Sequence, residues 1–279
     1  MKKKFFTTLW ICMAIGSGVF AQETASASGH LGLGVEASTT GFGFELAAQL
    51  SSNFALRGGI SYFPHYSYGN TFNVNLAEKA KTQINDAIDS DPGIGLALEQ
   101  FGLPKRAEEI NTDINVKAAL NMFNGKILID YYPNAQYGFH ITGGVYIGKS
   151  NLVNINGNMD QAVQILGALK TLGFDFSDVP VVIEQAYQLK GKDLVNMEGA
   201  VNVTSVKPYL GIGFGRAIPK SRVGLSLDLG AFYQGTPELV SDNKDVKQLM
   251  EAELTGVSEV LKKLPFYPVL SIKLSVRIF

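Results

Sequence analysis

Ten polar or charged side chains stand at alternate positions of otherwise apolar segments: Glu36, Glu45, Arg57, Lys126, Asp130, His140, Lys207, Asp228, Lys273 and Arg277. Gathered in one narrow interior, these four carboxylates and five Lys or Arg could form a proton or ion path, or could pair off as a hydrogen-bonded plug. The signs nearly balance and unpaired buried charge is costly, so a plug is the simpler expectation. Glu45 and Arg57 fall at diagonal positions of one hairpin and are the best-placed pair. Elsewhere the chemistry is thin. His30, His65 and His140 are the only histidines, and none has a metal-ligand or triad partner at a recognisable local spacing. Gly143-Gly144 and the run from Gly211 to Gly215 precede no helix start, so they are not phosphate loops. They read instead as small residues admitting large neighbours such as Tyr146 or Tyr209. No cofactor, metal or catalytic residue is expected.

The elements that must position these groups are strands. Phe42, Phe44, Leu46, Ala48 and Leu50 share one face while Gly43, Glu45, Ala47 and Gln49 share the other; after Ser51-Ser52-Asn53 the pattern resumes through Tyr62. The same alternation runs over 223–231 and 270–278, and further strands are expected at roughly 31–38, 114–132, 137–149 and 203–216, with a bulge near Met122-Phe123-Asn124-Gly125 in the fourth of the eight, 114–132. The polar face is cramped, rich in Gly, Ser and Ala, and the other is continuously aliphatic or aromatic. That is the inverted pattern of a transmembrane barrel rather than of a soluble sandwich. Connections alternate accordingly. Short turns lie at 51–53, 133–136 and 218–222, and long links at about 64–113, 156–200 and 237–265, with Thr39-Thr40 the one short external link. Tyr131, Tyr137, Phe139 and Phe214 on the turn side, and Tyr62, Phe63, Tyr233, Phe266 and Tyr267 on the loop side, are candidate interfacial girdles.

The three long links total 124 residues and carry helical periodicity. Their stripes are Leu76, Ala80, Ile84, Ala87 and Ile88; Ala162, Val163, Leu166, Leu169 and Lys170; and Val246, Leu249, Met250, Leu254, Val257 and Leu261. Asp242 is the expected N-cap of the last and Gly173 the expected stop of the second. Helices packed on one another as a cap over the barrel mouth would bury these stripes, and such a cap could enclose a pocket for a small apolar ligand or dock on a partner.

At the N-terminus, Lys2-Lys3-Lys4, an apolar run to Phe20 and Val19-Phe20-Ala21 have the layout of a signal peptide cut after Ala21. Residues 1–21 are then a leader containing Cys12, and 22–279 form one barrel domain without cysteine. The net charge of −1 becomes −4, which offers no basic footprint for nucleic acid. That charge is unevenly spread: the three long links sum to −9 and the rest of the mature chain to +5.

Gly41-Phe-Gly-Phe-Glu-Leu through Leu56-Arg-Gly-Gly, Lys207-Pro-Tyr-Leu-Gly-Ile-Gly-Phe-Gly and Leu225-Ser-Leu-Asp-Leu-Gly resemble the small eight-stranded outer-membrane barrels of Gram-negative bacteria, of the broad outer-membrane protein A and W type. The segment from Tyr267 to Phe279 is similar to the closing strand that the barrel-assembly machinery recognises, although Phe279 falls out of phase with Leu274, Val276 and Ile278. The resemblance implies an all-β membrane protein: an eight-stranded antiparallel transmembrane β-barrel with helical insertions in long extracellular loops. It implies outer-membrane lipid and the assembly machinery as partners and periplasmic termini. Three function classes stay open: binding or passage of small molecules, apolar ones included; a structural or adhesive surface protein; and a lipid-modifying enzyme, for which His65 beside Tyr66 and Ser67 is the one residue to name. The first class is the expectation, without enzymatic activity.

Overall fold

The structure, a computed structural model, describes residues 29–183, 187–253, 259 and 263–278. The expected leader, the phase of Phe279 and the stripe positions Leu254, Val257 and Leu261 lie outside those residues. Along the chain, β1 (Leu31–Ser38), β2 (Gly41–Gln49) and β3 (Phe54–Tyr62) lead into β4 (Tyr66–Asn73), α1 (Glu78–Ser90) and α2 (Pro92–Gln100). β5 (Asp113–Leu120), β6 (Phe123–Tyr131), β7 (His140–Gly148) and β8 (Asn151–Met159) follow, then α3 (Asp160–Thr171), β9 (Pro180–Ile183), β10 (Tyr187–Lys190) and α4 (Gly191–Val195). The last third holds β11 (Met197–Asn202), β12 (Val206–Phe214), β13 (Val223–Tyr233), β14 (Glu238–Val240), α5 (Lys244–Glu253) and β15 (Phe266–Arg277).

Eight strands close in the order β1-β15-β13-β12-β7-β6-β3-β2, every pair antiparallel. The seam joins the first and last strands from Gly32↔Arg277 to Ser38↔Ser271, so no edge is left in the wall. Alternation decides which face is which. Leu210 on β12 is 68% exposed, and Lys207, three positions earlier, is 2% exposed. An outward belt of aliphatic and aromatic side chains around a polar interior can be stable only if the belt faces lipid. The architecture is that of a small outer-membrane barrel. No helix among the described residues is long and apolar enough to cross a membrane.

The long links depart from the expectation. Residues 114–132 are two strands rather than one bulged strand: β6 belongs to the wall, and β5 leaves it above a break at Asn121-Met122. Gly125 itself pairs regularly with Ile60 and Ile147. β4, β8, β11 and β14 likewise continue β3, β7, β12 and β13 outward, giving a five-stranded sheet in the order β14-β11-β8-β5-β4. The cap is therefore an α/β layer. In β7 the even positions His140, Thr142 and Tyr146 are buried, whereas in β8 the odd positions Ile155, Gly157 and Met159 are. A strand read in a single phase stops at that slip, which is why the extension was not expected.

The helices and the β9-β10 hairpin cover the inner face of this sheet. Val74, Ile155, Ile183, Leu189, Met197 and Leu249 are at its centre, each 4% exposed or less. The first and third stripes pack as expected through Ala80, Ile84, Val246, Leu249 and Met250. In α3 the buried residues are Ala162, Ala168 and Leu169, while Val163 is exposed. Gly173 follows α3 at φ +90°, and the amide of Phe174 donates to the Leu169 carbonyl, so it ends the helix as expected. The N-cap of α5 is Asn243 rather than Asp242: its Oδ1 accepts from the amide of Asp245 at 2.9 Å.

Candidate functional site

Inward positions of the wall bring the charged groups together midway along the lumen. Arg57 on β3 lies at the centre. Its guanidinium reaches Asp228 at 2.8 Å, Asp130 at 2.8 Å and Glu45 at 3.4 Å, and also donates to Thr142 Oγ1 at 3.2 Å. Thr142 in turn donates to Asp130 at 2.7 Å. Glu45 on β2 is shared by Lys273 at 2.7 Å and Lys126 at 3.0 Å, and Lys126 holds Glu36 at 2.6 Å. His140 Nε2 lies 2.9 Å from Asp228 Oδ1, and its Nδ1 faces the Gly138 carbonyl at 3.0 Å. The Glu45–Arg57 contact is the diagonal one, because Arg57 is directly opposite Ala47. Gly213 matters here, because a Cβ at that position would collide with both Asp228 and His140.

Two of the ten positions stand apart from this cluster. Lys207 is buried in the lumen but near its loop end, where it donates to Asn124 Oδ1 at 3.0 Å and lies 5.5 Å from the Phe232 ring centroid. Arg277 does not lie within the bore, contrary to the expectation from its phase. Its side chain is half-buried at the turn-side rim, because its register opposite Gly32 is the last inward row, and it lines a rim hollow with Arg216 and Lys220. Without it the lumen holds Glu36, Glu45, Asp130 and Asp228 against Arg57, Lys126, Lys207 and Lys273, an even match.

Apolar layers close the lumen above and below the charges. On the loop side Leu128, Tyr146, Tyr209, Phe232 and Val269 fill the bore, with Tyr146 centred 5.3 Å from both Tyr209 and Phe232. A Cβ at Gly211 would strike the Tyr209 ring, so that glycine does admit the large neighbour. On the turn side Ala217 and Ile218 fold up under the barrel against Ala47, Ala55 and Tyr132. The Arg216 guanidinium covers the Tyr132 ring at 4.5 Å, and the Ala217 amide donates to Tyr132 Oη at 3.1 Å. Tyr132 was within reach of the sequence, since it continues the inward phase of β6. The inward turn at 217–218 had no such signal, because a turn has no period. Two expected girdle residues, Phe63 and Tyr267, point inward instead and seal the mouth against Met122, Leu152 and Val203.

A second candidate lies in the cap. Between α1, α2, α3 and α4 is a cavity of about 140 Å³, lined by Leu76, Ile84, Ile94, Leu98, Leu166, Leu194 and further apolar residues, with no charged side chain in its wall. His65 is exposed on the link between β3 and β4. Among the described residues no group of three His, Cys, Asp or Glu side chains could hold a metal ion.

No protein-family model matches the chain, and no curated protein does. Among solved structures it is similar to CarO2 of Acinetobacter baumannii, with a TM-score of 0.44 and 14% identity, over 90% of this chain and all of that one. It is also similar to CarO of the same organism, with a TM-score of 0.40 and 17% identity, over 88% of this chain and 96% of that one.

Proposed function

We propose that this protein resides in the outer membrane with its termini in the periplasm, and that its extracellular cap binds a small apolar molecule while its lumen stays closed to solutes. The observation that carries the reading is the cap cavity: about 140 Å³ walled by aliphatic side chains, Phe176 and Pro104. An enclosed cavity of roughly 150 Å³ with such walls takes up a benzene-sized guest, and this one is half open, with Val179 exposed in its wall. The wall offers no partner for a charged or strongly hydrogen-bonding ligand, so selection is by size and apolarity. The filled lumen argues against passage, since an eight-stranded barrel has an interior just wide enough for its side chains. Short turns on one side and long links on the other support the orientation.

The test is a thermal titration of the full chain with benzene, alongside Ile88→Trp, which fills the cavity from a half-buried lining position. Saturating benzene should raise the melting temperature of the wild type by a few degrees and leave the variant unmoved. An unmoved wild type, or an equal shift in both, overturns the proposal.

A further inference from the structure

The strongest feature outside both sites is the outer face of the cap sheet. Five wall strands continue past the membrane, and along each the outward face changes character at one level. Below it stand Tyr62, Phe123, Ile147, Val206 and Tyr233, each more than 40% exposed. Above it the rows opposite the cap core turn polar or small, with Val240 at one edge: Thr71↔Asn115↔Asn158, then Gly69↔Lys117↔Asn156↔Glu198, then Ser67↔Ala119↔Asn154↔Ala200↔Val240. The change marks where hydrocarbon ends, so the polar face stands in the headgroup layer, and with about 3.4 Å per residue its strands rise well through it.

The chemistry of this face selects among headgroups. Asp113, Asp160 and Glu198 outweigh Lys117 there, which disfavours phosphate, whose usual partners are Arg and Lys. Amides carry donor and acceptor side by side and suit the paired hydroxyls of a sugar. Asn115 and Asn158 are engaged with Asp160 at 2.8 and 2.6 Å. Asn154 and Asn156 make no side-chain hydrogen bond among the described residues. Asn154 stands between Ala119 and Ala200, whose small side chains leave a flat floor on either side of the amide.

We infer that this face, centred on Asn154 and Asn156, binds the uncharged sugars of glycolipid headgroups in the leaflet on the loop side. The inference rests on that side meeting the headgroup layer and is independent of the cap cavity. Native mass spectrometry of the folded full chain in detergent, offered equal amounts of digalactosyldiacylglycerol and phosphatidylglycerol, tests it. The readout does not depend on which way the barrel faces in a cell, so it stands or falls apart from the proposed orientation. Wild type should retain the galactolipid in preference, and Asn154→Ala with Asn156→Ala should lower that retention by about tenfold while the heat-shifted gel band persists, the faster migration of a folded barrel before boiling than after. Asn156→Ala alone serves should the double variant lose its fold, with a smaller loss expected. Preference for the anionic lipid, or undiminished galactolipid retention in the folded variants, overturns the inference.

Discussion

The lumen and the cap are built on the same strands and obey opposite rules. In the wall, charged and hydroxyl groups face in while Leu, Ile and Phe face out; a few residues further along the same ladders, Ile155 and Met159 face in while Asn154 and Asn156 face out. The inversion follows the solvent. In lipid the outside of a barrel must be apolar, so its interior is the only place left for polar side chains, and charge pairing becomes the adhesive. Above the membrane, water surrounds the sheet and apolar burial takes over. Stability in the lumen depends on every charge keeping its partner, and in the cap on volume being filled.

The sharpest way to break that contrast is Arg57→Met. It leaves Asp130 and Asp228 without their 2.8 Å partner, and one lost partner in a buried ion cluster costs about 3–5 kcal/mol. The barrel should lose its heat-shifted gel band at a markedly lower temperature, and Asp228→Asn added to it should restore part of the loss. A fully stable Arg57→Met would mean the network does not hold the wall. Next in size, Leu189→Ala in the fully buried cap core should cost about 2–4 kcal/mol. Here the damage should be local: proteolysis of the cap accelerates while the gel band is kept. Simultaneous loss of both would show the two regions to be one cooperative unit.

The smallest effect is electrostatic and confined to the cap surface. Hydrogen bonds from Lys192 and Lys190 hold the Asp178 carboxyl below its ordinary range. A lowered folded-state pKa contributes stability above the unfolded value and loses it as pH falls through the folded one. Acidification through the carboxylate range should loosen this corner slightly, and Asp178→Asn should remove the pH-dependent part of its hydrogen exchange. Exposed pairs are screened, so added salt should have the same sign of effect.

What the sequence made legible follows the same boundary. The wall strands are plain because a lipid-facing belt enforces one uninterrupted phase, and in that phase nine of the ten polar or charged positions lie buried. Arg277 was misplaced because phase alone does not say where the bore ends. The cap sheet escaped because each ladder slips phase on leaving the membrane, as between Tyr146 and Ile155, and its amide-rich rows lack the aliphatic contrast of the wall. Helices α1, α3 and α5 were legible from their stripes, whereas α2 and the five-residue α4 are too short to show one and were not expected. The cavity between them was not, since an unfilled space depends on how helices sit rather than on which residues they carry.

The most direct test of the account is a planar-bilayer recording of the full chain. Three stacked fillings, Phe232 with Tyr146, the Arg57 cluster and Ile218 under Tyr132, leave no path, so the current should stay at the bare-bilayer baseline across a range of voltages. Steady, protein-dependent conductance steps in the wild type would contradict it.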